Sequence, residues 1–320
     1  MNCPGHFLIY ASDVRSYRDL PIRFHEQTPL HRNEASGVLA GLTRVRQFSQ
    51  DDAHCFVTQE QIGEEVERLI RLVQRVYGDF GLPLHGEAVD AARRVPRRGR
   101  DVGSRRGAAQ GGARARRQLP TRINEKDGAF YGPKIDFDVT DAHRPQVAVR
   151  ARSSSITSMP ERFDLKYIGA DNAEHRPVVI HRAIFGSFER FIAILIEHYA
   201  GAFPLWLAPV QAIVLPIADR HADYAAAVRG PPGGGRAAGR ARRRGRRRLT
   251  IRSAKPSCRR FPICWWSGDR EVAEGTVSVR SRSGGDLGAR AVDEFIAAGA
   301  GRKWRRRASP TRARRGELIR

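Results

Sequence analysis

The sequence is short of cysteine, of long apolar runs and of charge spread evenly along the chain. Its four cysteines, Cys3, Cys55, Cys258 and Cys264, are too scattered to form a disulfide framework. No apolar stretch approaches the roughly 18 residues that cross a bilayer. The opening MNCPGHFLIY lacks the basic start and cleavage site of a signal peptide. We therefore expect a cytoplasmic protein without membrane contact.

The net charge of +23 is confined to three segments. Residues 91–120, 231–250 and 301–320 together hold 27 basic and 2 acidic residues, whereas the other 250 residues hold 30 basic and 32 acidic ones. Such runs are typical of solvated, disordered tracts. The alternative is an arm that binds nucleic-acid phosphates.

Clear periodicity predicts several elements. Thr58 and Gln61 form a capping-box signature before a helix that Gly78 and Gly81 end. The apolar stripe of this helix comprises Ile62, Val66, Leu69, Ile70, Val73 and Val76. A second amphipathic helix, ended by Gly201 and Pro204, has the stripe Phe188, Phe191, Ile192, Leu195, Ile196 and Tyr199.

Strands are predicted by alternation and by short apolar runs. Ile135, Phe137 and Val139 alternate with polar residues, as in a half-buried strand. Residues 178–180 predict a buried strand, and residues 209–217 predict another that opens a second domain of α/β type. Residues 268–297 predict a strand, a loop and a helix.

Three blocks, at residues 86–122, 143–158 and 229–266, lose all pattern and are rich in Arg, Ala, Gly, Pro or Ser. Each begins and ends sharply. One hypothesis is compensating frameshifts in GC-rich DNA; the other is genuine disordered insertion. For the block at 143–158 we expect poor apolar burial and unpaired backbone groups.

Chemically informative residues cluster in Asn2–His6, His31–His54 and His181–Arg190. Each has a plain structural interpretation on its own. Cys3 could be a small apolar filler, and His54 and His181 could be core histidines. Arg32 and Glu34 could form a surface pair worth less than about 1 kcal/mol.

Together these segments resemble the threonyl-tRNA synthetase family of class II aminoacyl-tRNA synthetases, over roughly 200 of the 320 residues. The resemblance is carried by MNCPGH, HRNEASGVLAGLTRVRQFSQDDAHCF, GAFYGPKIDFDV, MPERFDLKYIGADN, HRAIFGSFERFIAILIEHYAGAFP and GTVSVRSRSGGDLG. It implies an α+β catalytic domain with an antiparallel sheet at 1–206, and a small α/β anticodon-binding domain at 207–300. A basic disordered tail would follow at 301–320.

The resemblance implies ATP-dependent activation of threonine and its transfer to tRNA(Thr). Arg32 would hold the α-phosphate and the amino-acid carboxylate, because its planar fork suits both. Glu34 would bind the adenine amino group, and Arg44 the outer phosphates. Arg190 would grip the γ-phosphate, with Mg²⁺ on the phosphates.

The resemblance also implies one zinc ion per chain, held by Cys3, His54 and His181 with a fourth position open to substrate. Asp52 would accept the threonine hydroxyl, and Gln50, Tyr131 and Lys134 would contribute to substrate binding. A site built around that hydroxyl can reject valine by about 10⁴–10⁵.

Several family features are missing from this sequence. The N-terminal editing domain and the dimer-forming motif 1 lie before the family's MNCPGH, so we expect the family's homodimer to be compromised. Two glutamine-bearing strands expected between Asp141 and Met159 are not recognisable. We therefore expect an impaired threonine–tRNA ligase. The alternative is an inactive remnant with at most non-specific tRNA binding.

Overall fold

The computed structural model describes residues 3–82, 84–89, 121–123, 134–139, 151–156, 158–229, 239–241 and 261–294. The chain divides into two compact units, Met1–Glu197 and His198–Arg320. The domain boundary predicted after residue 206 thus falls inside the second unit. Most of the three Arg-rich segments lies outside the described residues.

The first unit is built on a seven-stranded sheet of order β1-β4-β11-β8-β7-β5-β6. All neighbours are antiparallel except β5 and β6. The same unit also contains two separate two-stranded sheets, β2–β3 and β9–β10. The strands are β1 Ile22–Glu26, β2 Pro29–His31, β3 Gln47–Ser49, β4 Asp52–Val57, β5 Leu84–Val89, β6 Thr121–Ile123, β7 Lys134–Val139, β8 Ala151–Ile156, β9 Tyr167–Ile168, β10 Glu174–His175 and β11 Val178–Ala183.

The described helices of this unit include the long helix that the sequence predicts. They are α1 Cys3–Ala11, α2 Ile62–Asp79, α3 Ser158–Arg162 and α4 Phe188–His198, with a 3₁₀ turn at Ser36–Val38. The backbone N–H of Thr58 donates to Gln61 Oε1 (3.0 Å), which is half of the predicted capping box. Gly81 ends the helix with φ +68°, and Leu82 N–H donates back to the Tyr77 carbonyl (3.0 Å).

The stripe predicted for α4 is wrong at two positions. Phe191, Ile194 and Leu195 are buried, whereas Ile192 and Ile196 remain 46% and 41% exposed. The buried residues follow the i, i+3, i+4 spacing of one helix face, and the two exposed isoleucines lie to one side of it.

Two predictions for the middle of the large sheet need correction. In β7, Ile135 and Phe137 are buried as predicted, but Asp136 between them is also fully buried, so the strand is not half-buried here. Strand β8 forms inside the block at 143–158 and pairs with β11 on one side and β7 on the other. The expected loss of pairing is wrong there, because ladder hydrogen bonds use backbone groups that every non-proline residue carries.

The second unit contains a five-stranded sheet of order β13-β12-β14-β15-β16. Strands β13 and β14 flank β12 in parallel, and β14, β15 and β16 run antiparallel. Its strands are β12 Ala212–Pro216, β13 Gly239–Ala241, β14 Ile263–Ser267, β15 Thr276–Ser281 and β16 Gly285–Ala291. Its helices are α5 Ala222–Arg229 and α6 Asp269–Glu274, with a 3₁₀ turn at Asp219–His221.

Strand β14 overturns the prediction that residues 229–266 are patternless throughout. All five of its residues are buried, and Trp265 packs in the core with Val214, Val277 and Val279. The order predicted for residues 268–297 is incomplete: helix α6 precedes the strand β15, a second strand, β16, follows it, and residues 292–294 are helical as predicted. No described helix has the length and apolarity needed to span a bilayer.

Candidate active site

Helix α1 presents Cys3 and His6 on one buried face. The two residues are three positions apart, so they lie on the same side of the helix. Phe7 and Tyr10 continue this face and are also buried, whereas Leu8 is 62% exposed. Because Phe7 packs edge-to-face on Phe56 of β4 and Tyr10 stacks on the same ring, the helix is held against the sheet.

Strands β4 and β11 bring His54 and His181 together. The two residues are direct partners in the antiparallel register, so their side chains share one face of the sheet. Their rings stack with centroids 4.5 Å apart. Cys3 Sγ lies 4.0 Å from His181 Nδ1. Ligand atoms of Cys3, His54 and His181 all lie within 4.8 Å of one another.

The surroundings of His54 fit a metal ligand. The side chain is fully buried, and Nε2 has no hydrogen-bond partner among the described residues. Its Nδ1 lies 2.8 Å from Nδ1 of His6. A buried, unpaired ring nitrogen is costly unless something satisfies it. One sulfur and two imidazole donors form the kind of set that zinc takes.

The two imidazoles differ in their proton affinity. Burial, and then the nearby charge of His181, lower the pKa of His54 to about 3. Burial would also lower the pKa of His181, but contacts with Asp52 and Cys3 outweigh it and raise the value to about 9. His54 is therefore neutral at physiological pH, whereas His181 in the metal-free chain holds a proton that any bound metal would have to displace.

Asp52 contacts His181 at Nε2, the ring nitrogen on the opposite side from the one near Cys3. Its Oδ1 lies 2.7 Å from His181 Nε2, and its side chain is almost completely buried. Burial favours its neutral form, yet contact with His181 and the charges of the neighbouring histidines keep the pKa below its usual value. A carboxylate against the distal nitrogen of a ligating histidine is a common means of orienting the ring.

The residues before β4 are tied to the turn that precedes α4. Asp51 accepts from the backbone N–H groups of Ile184 (2.8 Å) and Phe185 (3.0 Å), and from Arg182 Nη1 (3.0 Å). The Gln50 amide donates to the Gly186 carbonyl (2.6 Å). Gln50, expected to bind substrate, thus braces this turn.

The nucleotide candidates lie in a more exposed region. Glu34 and Arg44 form an ion pair of 3.0 Å. The guanidinium of Arg32 lies over the Phe48 ring, 4.8 Å from its centroid. Arg190 lies in the first turn of α4, where its backbone N–H donates to Ser187 Oγ (3.3 Å).

Of two further residues predicted to bind substrate, the structure describes the strand register of one and does not describe the other. Lys134 is the first residue of β7, paired in register with Ser154 of β8. Tyr131 lies outside the described residues.

The sequence placed His6 and Asp51 in the chemically informative segments but assigned neither of them a role. The only signal for His6 was its three-residue spacing from Cys3, which has meaning only once a helix is established there. Asp51 stood beside the more obvious Asp52 and offered no separate signal.

The antiparallel sheet and its cluster define the class of protein. Residues 1–199 match the family model described as the tRNA synthetase class II core domain (G, H, P, S and T). A crystal structure titled as the RNA binding domain of threonyl-tRNA synthetase from Cryptosporidium parvum Iowa II superimposes with a TM-score of 0.84 and 34% identity. That comparison covers 93% of this chain and 74% of the other.

Curated relatives point to one branch of this class. The chain is 48% identical over 302 residues to a threonine–tRNA ligase of Myxococcus xanthus, and 45% identical over 302 residues to one of Caldanaerobacter subterraneus. Each comparison spans at least 92% of this chain and 46% of the relative, so the chain covers about half of their length. The chain belongs to the threonyl-tRNA synthetase family. The likeness extends well beyond the roughly 200 residues that the motifs indicate.

Proposed function

We propose that this chain activates threonine with ATP and transfers it to tRNA(Thr), as a threonine–tRNA ligase. The observation that carries the proposal is the convergence of Cys3, His54 and His181 from α1, β4 and β11, with ligand atoms within 4.8 Å. Selecting an amino acid by its hydroxyl requires a polar site that the competing isostere leaves unsatisfied. This cluster offers such a site.

The amino-acid side of the site would use zinc and the residues around it. When bound by Cys3, His54 and His181, zinc supplies a Lewis acid for the amino and hydroxyl groups of threonine. Asp52, which supports His181 at 2.7 Å, would also accept the hydroxyl proton. Gln50, Tyr131 and Lys134 are proposed to complete the threonine pocket.

The nucleotide side would use positive charge and positioning. Arg32 and Arg190 are proposed to neutralise the α- and γ-phosphates, and Arg44 the outer phosphates, with Mg²⁺ bound to ATP. Glu34 would accept from the adenine amino group while remaining near Arg44. In phosphoryl chemistry of this kind, the protein mainly aligns the reacting groups and neutralises their charge.

The second unit is proposed to bind the tRNA anticodon. Its support is the mixed sheet β12–β16, with helices α5 and α6, in the α/β arrangement expected for that domain. The Arg-rich segments would add sequence-independent attraction to RNA phosphates. The cytoplasm is the proposed location.

Threonine-dependent ATP–pyrophosphate exchange tests this proposal. We expect exchange with threonine, weaker exchange with serine and almost none with valine, because valine lacks the hydroxyl. Cys3→Ser should abolish the exchange. Cys55→Ala is the matched control. Cys55 lies on β4 and is buried, as Cys3 is, but it is not a member of the cluster.

Two outcomes would overturn the assignment. Exchange that survives Cys3→Ser would remove the proposed metal role. Salt-sensitive tRNA binding by a folded, zinc-loaded chain without any exchange would favour the inactive remnant instead.

A further inference from the structure

His6 is a buried residue beside the cluster, and it ligates nothing in the proposed function. Its Nδ1 lies 2.8 Å from Nδ1 of His54, and its Nε2 lies 3.9 Å from Glu26 Oε1. The three residues form a line from the unpaired Nε2 of His54 to a carboxylate on β1. Neither family resemblance nor sequence pattern assigned a role to this line.

Strand β1 fixes the far end of the line. Phe24 and Glu26 are two residues apart, so their side chains share a face of the strand. Phe24 is the register partner of His54 and packs against the His6 ring, with centroids 5.7 Å apart. Glu26 therefore reaches His6 from the same strand that borders His54.

Of the two proton arrangements that the His6–His54 contact allows, one conflicts with the surroundings of both rings. Each neutral imidazole has one N–H and one bare nitrogen, so the short contact needs a donor on one ring and an acceptor on the other. If His6 donated from Nδ1, its bare Nε2 would face the Glu26 carboxylate. His54 would then carry a buried Nε2–H without an acceptor among the described residues.

The opposite arrangement removes both conflicts. His54 donates from Nδ1 to His6, and His6 points its Nε2–H toward Glu26. The Nε2 lone pair of His54 is then bare, and the ring belongs to the group whose ligand atoms lie within 4.8 Å of those of Cys3 and His181. A ligating histidine commonly has its tautomer set by the partner of its other nitrogen.

We propose that His6 is a positioning residue that holds His54 in the Nδ1–H tautomer, so that Nε2 is the metal-binding atom. The metal part of this inference rests on the proposed function. The two ligating histidines are then oriented by different means. His181 faces Asp52 directly through Nε2 at 2.7 Å, whereas His54 is connected to Glu26 through a second imidazole.

Nitrogen NMR of the ¹⁵N-histidine-labelled chain tests the tautomer without any substitution. In the metal-free protein we expect His54 to be protonated at Nδ1 and His6 at Nε2. On adding zinc, the Nε2 signal of His54 should shift and its Nδ1 should keep the proton. A His54 ring protonated at Nε2 in the metal-free chain would overturn the inference, whatever the chain's activity.

Amide substitutions test the consequence for metal affinity. Asparagine places an acceptor near the position of histidine Nδ1, whereas glutamine reaches further and leucine has none. We expect His6→Asn to bind zinc nearly as tightly as wild type, and His6→Gln and His6→Leu to bind about ten- to a hundredfold more weakly. Affinity is measured by competition with a chromophoric chelator.

Leu8→Asn is the matched control, since it changes an exposed position of the same helix and should leave affinity unchanged. Equal affinities for the Asn, Gln and Leu variants would refute the role of His6. A wild-type chain that binds no zinc would instead refute the proposed function, and the NMR measurement would still decide the tautomer.

Discussion

The two halves of the candidate active site are built in different ways. The cluster of Cys3, His54 and His181 is largely enclosed: Cys3 and His54 are 0% exposed, and the His181 side chain is 14% exposed. The Glu34–Arg44 pair is more open, because the Arg44 side chain is 54% exposed, although that of Glu34 is only 19% exposed. The enclosed half is therefore already arranged by the fold, whereas the open half depends on surface contacts that bound nucleotide would replace. Substitutions in the enclosed half should lower the stability of the folded chain, whereas substitutions in the open half should affect ligand binding alone.

Removing Asp51 should produce the largest effect on stability. Asp51→Ala leaves the Ile184 and Phe185 N–H groups without their acceptor, and it leaves Arg182 Nη1 with only the backbone carbonyl of residue 51 (3.1 Å). We expect the free energy of unfolding to fall by about 3–5 kcal/mol, as when one partner of a buried ion pair is removed. Urea denaturation measures this change.

Asp171→Ala provides the control for that experiment. Asp171 also accepts from a backbone N–H, that of Ala173, but it is exposed. Its removal should cost less than about 1 kcal/mol. If both variants lost similar stability, the contrast between the enclosed and open regions would fail.

The enclosed half should also make the stability of the metal-free chain depend on pH. His54 has its pKa lowered to about 3, so stability should fall as the pH drops from about 6.5, where the unfolded ring takes up a proton, towards 3. His181 has its pKa raised to about 9, so its contribution is complete below about 6.5 and is lost as the pH rises to 9.

Thermal melting across this range should therefore show a maximum near pH 6.5. His54→Asn should flatten the acid limb, and His181→Asn the alkaline limb. An exposed histidine, as in His175→Asn, should alter neither. A wild-type profile without a fall on the alkaline side would contradict the assigned environment of His181.

Breaking the open pair should have the smallest effect on stability. Glu34→Ala should change the free energy of unfolding by about 1 kcal/mol or less, because ion pairs with one exposed partner, here Arg44, contribute little. It should raise the KM for ATP about tenfold, as expected for one lost hydrogen bond to adenine. Steady-state exchange kinetics measure the KM.

Glu67→Ala removes another surface ion pair, with Arg71 on α2, and is expected to leave the KM for ATP unchanged. A stability loss in Glu34→Ala comparable to that of Asp51→Ala would show that the nucleotide half is also part of the folded framework.

Local pattern predicted the elements whose determinants are local. Helix α2 followed from its apolar spacing and from Gly81, both of which act within a few turns of chain. Strand β8 could not be predicted in this way, because ARSSSI has no alternation and its pairing is supplied by β11 and β7. Strand β14 was overlooked because most of its buried run ICWWS lies at the end of the block at 229–266, whose earlier part is rich in arginine.

The cluster of Cys3, His54 and His181 depends on contacts that no local pattern encodes. Cys3 and His181 are 178 positions apart, and the pairing of His54 with His181 is set by strand register. Only family resemblance connected these residues in advance. The contact of His6 with His54 depends on both the helix α1 and the sheet, so it became visible only with the fold.

The zinc content of the purified chain tests the central claim most directly. Elemental analysis should find one zinc ion per wild-type chain and per Cys55→Ala chain, and none in Cys3→Ser. A folded wild-type chain without zinc, or a Cys3→Ser chain that retains a full equivalent, would contradict the account.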